Sequence, residues 1–474
     1  MNLSNLSFNK KTILVLLAGI GIALCTLAMS TLEHYAIQGM RYQGFFLIAF
    51  MLYLLAVVTF FKLPAPSKKS HLMMIFALAL LQRIPLWGGE PTLSTDVWRY
   101  LWDGRLMTLG VNPYAEPVNS TALDAYDTPL RGRVEHAWMA SPYPPVAQLV
   151  FAGTYSLAPE SPTGMQIIFT AFDLATGVVL VLFLQRLEKP SRHVVLYLWN
   201  PLIIVEFAHS AHVDSLMTLL VVLALCQFYD GRISGSAITL ALATLTKFIP
   251  VLLVPVFLQR WGWRRLLLYL AVVLLGLLPF LDAGLGLVGE LDGRGIFGAV
   301  RIYNTNWKTN DGLFYMLARA LEPLSQEPIV LARIISLILL GFVWLWVIFD
   351  VRRKASHSDP IHLNQHSALL VSAYVLLSPV VFPWYLTWLL ALLPLIQIQR
   401  SRPANLFIMG WLYFSAAVNL SYLFYLDPAN PRELEWVRAV EYIPLWITLL
   451  VAVFLLGKAR LRPNRVSYRV STKG

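Results

Sequence analysis

The chain has 474 residues, 57% of them hydrophobic and 13% charged, where an ordinary soluble domain carries roughly 25% charged residues. Its formal net charge of +11 would point to nucleic acid in a soluble protein. Here the basic residues gather in short segments between apolar runs, where they set topology, so nucleic acid is set aside as a partner and the lipid bilayer takes its place.

Apolar stretches recur from end to end, at 12–32, 44–61, 164–185, 266–281, 329–349, 405–424 and 443–456, with shorter ones between them. This pattern predicts an all-α polytopic integral membrane protein of about 11 to 13 transmembrane helices. The chain reads as one transmembrane domain over residues 1–474, with no room for a separate soluble unit. The first span follows Lys10 and Lys11 and ends in no convincing small-residue cleavage site, so it reads as a retained helix rather than a signal peptide. Cys25 and Cys226 both fall inside apolar runs and imply neither a disulfide framework nor a thiolate metal site.

Positive charge orients the chain. Lys62, Lys68 and Lys69, then Arg260, Arg264 and Arg265, then Arg352, Arg353 and Lys354, then Arg400 and Arg402, and the tail at 458–474 all read as cytoplasmic. Counting crossings then puts 89–143, 282–310 and 427–441 on the opposite side of a plasma or inner membrane. Between 144 and 259 the threading is open. The runs 146–158, 237–246 and 249–258 are short for a span, and each reads as a half-helix, a re-entrant turn or part of a longer tilted helix.

The first external loop, 89–143, carries the densest chemistry. Ser94 or Thr95 caps a helix whose first turn holds Asp96, and at about 100° per residue Asp96, Arg99 and Asp103 share one face. Trp98, Leu101, Trp102 and Leu106 alternate with them, which predicts an interfacial helix with its polar face toward water or a cavity. Gly110 and then Asn112-Pro113 stop it. The same spacing also suits a plain solvated face, with Asp96 on the helix dipole and Arg99–Asp103 as an i, i+4 pair.

The segments STDVWRYLWDGR (94–105), GVNPY (110–114), SPYPP (141–145), WNP (199–201), HVD (212–214), YNTNWKTNDGLF (303–314) and SPVVFPWYLTW (378–388) occur in this order. In that order, and with this helix count, the chain resembles the polytopic GT-C glycosyltransferases, in particular the bacterial polyprenol-phosphate-mannose-dependent mannosyltransferases. The resemblance implies inverting transfer of a hexose, mannose by family, from a polyprenyl-phosphate donor to an extracytoplasmic hydroxyl on a glycolipid or glycan. It also implies a carboxylate general base in the first external loop, at Asp96, with Asp103 as the reserve candidate. A carboxylate partly desolvated at the membrane boundary is a stronger base than one in water.

A lipid-phosphate leaving group calls for fixed cations, and the candidates are Arg99, Arg105, Lys247, Arg301 and Lys308. Lys247 stands between two apolar runs and has two readings, a phosphate contact or a lysine snorkelling from a helix end. Arg301 and Lys308 also read as ordinary loop charges. Acceptor or sugar contacts are expected at Tyr143, His212, Asp214, Trp307, Asn310, Trp384 and Tyr385; the last two equally suit an interfacial aromatic belt. Tyr303, Trp307 and Asn310 lie where a second loop would close over the site as a lid. Asp173 and Glu206 lie inside apolar helices, and Asp173 reads as structural. His212 and Asp214 at i, i+2, with no third ligand, fall short of a metal site, and no cofactor is required. Phe382 stands where many relatives carry histidine before PWY, which removes any acid role from that position. A transporter or flippase of a lipid-linked sugar is the competing reading, since it too uses intramembrane charges, and a non-catalytic partner in envelope synthesis is the third.

Overall fold

A computed structural model describes residues 10–63, 69–289, 291–353, 360–396, 401–426 and 432–460. Lys68, Lys354, Arg400 and the part of the basic tail beyond residue 460 lie outside the described residues, as does 427–431 of the segment 427–441. Among the described residues the secondary structure is helical, with one isolated parallel bridge between Thr309 and Val380.

The chain opens with two long apolar helices, α1 (Lys10–Ser30) and α2 (Gly39–Phe61), followed by the shorter α3 (Lys69–Leu81). The loop at 89–143 holds α4 (Asp96–Thr108), and α5 (Pro145–Leu157) and α6 (Pro162–Arg186) come after it. Two single turns, α7 (Val195–Leu198) and α8 (Pro201–Ile204), then α9 (Asp214–Tyr229) and α10 (Ile233–Thr244), form the middle of the molecule. The long α11 (Val254–Leu277) precedes α12 (Gly298–Asn306) and α13 (Leu313–Leu321) of the second loop. Helices α14 (Pro328–Arg353), α15 (Pro360–Leu377), α16 (Leu386–Leu390), α17 (Arg402–Ala417) and α18 (Glu435–Arg460) complete the order.

Seven of the described helices are long and apolar enough to cross a membrane: Lys10–Ser30, Gly39–Phe61, Pro162–Arg186, Arg260–Ala283, Pro328–Arg353, Arg402–Phe424 and Glu435–Lys458. Six of the seven sequence-predicted spans fall within them, and the first, 12–32, runs two residues past the end of its helix at Ser30. Four shorter apolar helices, Asp214–Tyr229, Ile233–Thr244, Ile249–Leu258 and Pro383–Leu395, lie between. Outer helices keep apolar side chains on their exposed faces, as at Leu337, Phe342 and Phe349 of α14 and Leu450 and Phe454 of α18. A helix apolar all round, with few buried positions, is suited to lipid rather than water.

Within 144–259, the three short runs form separate short helices around the full-length α6. Gly262 adopts φ +58 inside α11 and breaks 249–258 away from the long helix that follows; this left-handed conformation costs a glycine little. Helix α10 ends at Thr244, which leaves Lys247 in the gap between two short helices.

One buried pair ties the early helices to the middle of the molecule. Arg83 donates to Asp173 Oδ2 at 2.6 Å, to Ala79 O at 2.8 Å and to Leu198 O at 3.0 Å, and both charged side chains are fully buried. Asp173 therefore has the structural role expected of it, because a buried carboxylate needs such a partner.

Candidate active site

The helix predicted at Asp96 is α4, and its ends follow local chemistry. The Ser94 hydroxyl accepts from the Asp96 amide at 3.3 Å. At the other end Gly110 takes φ +75 while Val111 N–H reaches Leu106 O at 2.9 Å and Gly110 N–H reaches Met107 O at 3.1 Å, the double bond of a Schellman stop. Gly104 faces α5 so closely that a Cβ there would lie 2.6 Å from Phe151 O.

The interfacial reading of α4 needs correcting. Most of the helix is buried in protein, including Trp98, Arg99, Trp102 and Asp103. The loop after it wraps back over both faces: Arg133 stacks on Trp98 at 3.4 Å and Arg131 lies 5.9 Å from the Trp102 ring. Arg99 donates to Asp103 Oδ1 at 3.0 Å and to Met139 O at 3.0 Å, and the second Asp103 oxygen accepts from Ser141 and, at 3.2 Å, from Gln148. The shared polar face thus divides in two. Asp103 and Arg99 secure the loop, and Asp96 alone turns toward the middle helices, its side chain 35% exposed.

Those helices supply the rest of the cluster. Asn200 caps the Pro201 turn by accepting from Leu202 N–H at 3.0 Å. A π-turn over Val205–His209 and a left-handed Ala211, φ +58, then redirect the chain so that Glu206, His209, His212 and Asp214 all turn inward and are buried. Such turns and strained residues gather at functional sites. His212 Nδ1 lies 3.7 Å from Asp96 Oδ2, and its Nε2 lies 3.2 Å from Glu206 Oε2.

Asp214 opens α9. Its two oxygens accept from Lys247 at 2.9 and 3.0 Å, and Oδ1 also accepts from Trp388 Nε1 at 2.6 Å. The Lys247 ammonium lies 5.0 Å from the Tyr385 ring and 5.1 Å from the Trp388 ring, a cation–π setting. Lys247 is therefore fixed inside the protein and does not snorkel. Trp384 stacks on His212 at 4.0 Å and on Phe382 at 4.4 Å. Trp384 and Tyr385 are buried at the cluster, so the belt reading gives way to an inward one. The Tyr385 hydroxyl bonds that of Tyr303 from the second loop.

Burial raises the Asp96 carboxyl from its ordinary range to about 6, partly offset by the positive charge of Lys247 and a hydrogen bond from Tyr143. Asp96 is thus placed to titrate near neutrality, as a general base requires.

Other predicted residues lie elsewhere. Arg105 bonds Tyr126 O and Tyr155 Oη at 3.3 and 3.2 Å. Arg301 donates to Gly289 O at 2.9 Å, and Lys308 pairs with Asp311 at 3.8 Å. Asn310, at φ +46, bonds through its amide to Glu433 Oε1 at 2.6 Å. Trp307 stacks on Tyr303 and Trp138, and Thr309 exchanges backbone bonds with Pro379 and Val381. The second loop is thereby fastened over the 378–385 segment. Among the described residues no three His, Cys, Asp or Glu side chains converge as a metal site.

Sequence reasoning assigned no particular role to Glu206 or Tyr422. Intramembrane acids are a usable signal for the first, but the hydrogen bond from Tyr422 to Glu206 Oε1, at 2.8 Å, spans 216 positions and leaves no local trace.

A helical membrane fold with a buried cluster of carboxylates, a fixed lysine and inward aromatics is of the polytopic GT-C glycosyltransferase type. The chain is a member of the alpha-(1->6)-mannopyranosyltransferase family: the profile of that family's N-terminal domain matches residues 11–263, and the MptB C-terminal domain matches residues 310–424. It is 25% identical to alpha-(1->6)-mannopyranosyltransferase A of Mycobacterium tuberculosis (strain ATCC 25618 / H37Rv), over 71% of this chain and 68% of that protein. Asp96, His212, Asp214 and Lys247 lie in the first matched region, and Trp384, Tyr385 and Trp388 in the second.

Proposed function

We propose that the protein transfers mannose, with inversion, from a polyprenyl-phosphate donor to a hydroxyl of a glycolipid or glycan on the extracytoplasmic face of the plasma membrane. The single transmembrane unit would include the four shorter apolar helices with the seven long ones, eleven membrane-embedded segments, the lower end of the predicted range. The observation that carries the reading is the placement of Asp96, with His212 Nδ1 3.7 Å from its Oδ2, within reach of the positive charge of the Lys247 that Asp214 and Trp388 hold.

In this reading Asp96 removes the proton from the acceptor oxygen as that oxygen attacks the anomeric carbon from the face opposite the phosphate. The C–O bond to phosphate breaks, and the phosphate gains a negative charge. Lys247, held in place by Asp214, meets that charge; a fixed cation in a site shielded from water stabilises it without reorganisation. Trp384 and Tyr385 contact sugar or prenyl chain, Tyr143 orients Asp96, and the second loop excludes water that would hydrolyse the donor. Arg99 and Asp103 keep the shape of the loop, and no metal is assigned a part.

The test uses membranes containing wild type or Asp96→Asn, supplied with labelled polyprenyl-phosphate mannose and membrane acceptors. Wild type transfers label, and Asp96→Asn at equal protein level loses at least about 10²-fold, the usual scale of general-base catalysis. Undiminished transfer by that variant refutes the base assignment. Translocation of lipid-linked sugar without transfer by wild type would favour the transporter.

A further inference from the structure

The proposed reaction leaves two buried groups without a task. Glu206 and His212 are completely buried, and both ring nitrogens of His212 and Glu206 Oε2 make no hydrogen bond within the protein. Buried polar atoms are rarely left so, since each has given up its hydrogen bonds to water. These atoms lie in a row. Glu206 Oε2 is 3.2 Å from His212 Nε2, and His212 Nδ1 is 3.7 Å from Asp96 Oδ2.

The protonation state of Glu206 decides what this row can do. Among the described residues its neighbours are the Tyr422 hydroxyl at Oε1 and His212 at Oε2, with no lysine or arginine paired to it. The Lys247 ammonium is held by Asp214. A carboxylate buried without a cation is far costlier than a neutral acid. Oε1 is occupied as an acceptor, so a proton on the acid sits on Oε2, facing Nε2. A neutral histidine that accepts at Nε2 must carry its own proton on Nδ1, facing Asp96.

We propose that Glu206 is a positioning residue: as a neutral acid it donates from Oε2 to His212 Nε2, fixing the imidazole as the Nδ1–H tautomer that donates to Asp96 Oδ2. This rests on the reading of Asp96 as base. The bond to Oδ2 leaves Oδ1 as the oxygen that takes the acceptor's proton, and because the imidazole is neutral it orients the carboxylate while depressing its basicity less than an imidazolium would. The 3.7 Å gap closes when substrate settles Asp96, as catalytic hydrogen bonds commonly do. Trp384, stacked on His212, holds the ring plane.

Two variants and one spectrum test the proposal. Glu206→Gln keeps an N–H donor toward Nε2 and rescues transfer to within about fivefold of wild type, whereas Glu206→Leu loses the donor and lowers kcat about a hundredfold with KM for donor and acceptor unchanged. Equal loss in both variants, or a loss confined to KM, overturns it. The infrared difference between purified wild type and Glu206→Gln at neutral pH contains the C=O band of a protonated carboxylic acid, and a carboxylate band in its place overturns the proposal. This spectrum needs no turnover, so it stands even where wild type transfers no mannose, an outcome that would defeat the proposed function alone.

Discussion

Lowering the pH from 7 to 5 provides a direct test of Asp96. With its carboxyl raised to about 6 by burial, roughly nine-tenths is ionised at pH 7 and one-tenth at pH 5, so kcat/KM falls about tenfold; an ordinary aspartate near 3.9 would lose less than about a tenth. Unfolding through this group does not mimic the effect. Its folded pKa lies above its unfolded value, so the stability it contributes is fully present below about pH 4 and is lost as pH rises through about 6. Acid therefore weakens the base while Asp96 itself favours the fold. The assay measures initial rates of mannosyl transfer in membranes from pH 5 to 8, with tryptophan fluorescence as a check that the protein stays folded. A flat profile between 7 and 5, with the fold intact, refutes the argument that desolvation tunes Asp96.

Further outcomes follow from the same geometry. Tyr143→Phe removes a hydrogen bond that holds the Asp96 carboxyl down, so the acid limb of the same profile moves to higher pH. Lys247→Met leaves Asp214, 1% exposed, without its cation; melting of the purified variant should show a loss of about 3 kcal/mol, as for other broken buried pairs, together with loss of transfer. Gly104→Ala pushes a methyl group into the Phe151 carbonyl of α5, costing about 1–3 kcal/mol and lowering activity through displacement of α4, measured by thermal unfolding and by transfer rate.

The amino-acid sequence alone determined the membrane-spanning framework, because crossing hydrocarbon demands long apolar runs that are contiguous in the chain. It also determined the start and stop of α4, which depend on Ser94 and Gly110 within a few residues of the helix. The composition of the candidate site was legible in part through residues that are hard to place in apolar surroundings, namely Asp96, His212, Asp214 and Lys247. What each one touches was not. Helical spacing puts Asp96, Arg99 and Asp103 on one face and suits an Arg99–Asp103 pair, and only the packing of the loop at 139–148 against that face added Ser141 and Gln148 to Asp103 and left Asp96 turned toward His212. Lys247 and Asp214 are 33 positions apart, and Trp388 lies 174 positions from Asp214. Contacts of that separation arise from helix packing and the left-handed turn at Ala211, and no local periodicity encodes them. Tertiary structure alone decided which distant charges are paired, which aromatics face inward, and that Glu206 stands behind His212 and Asp96.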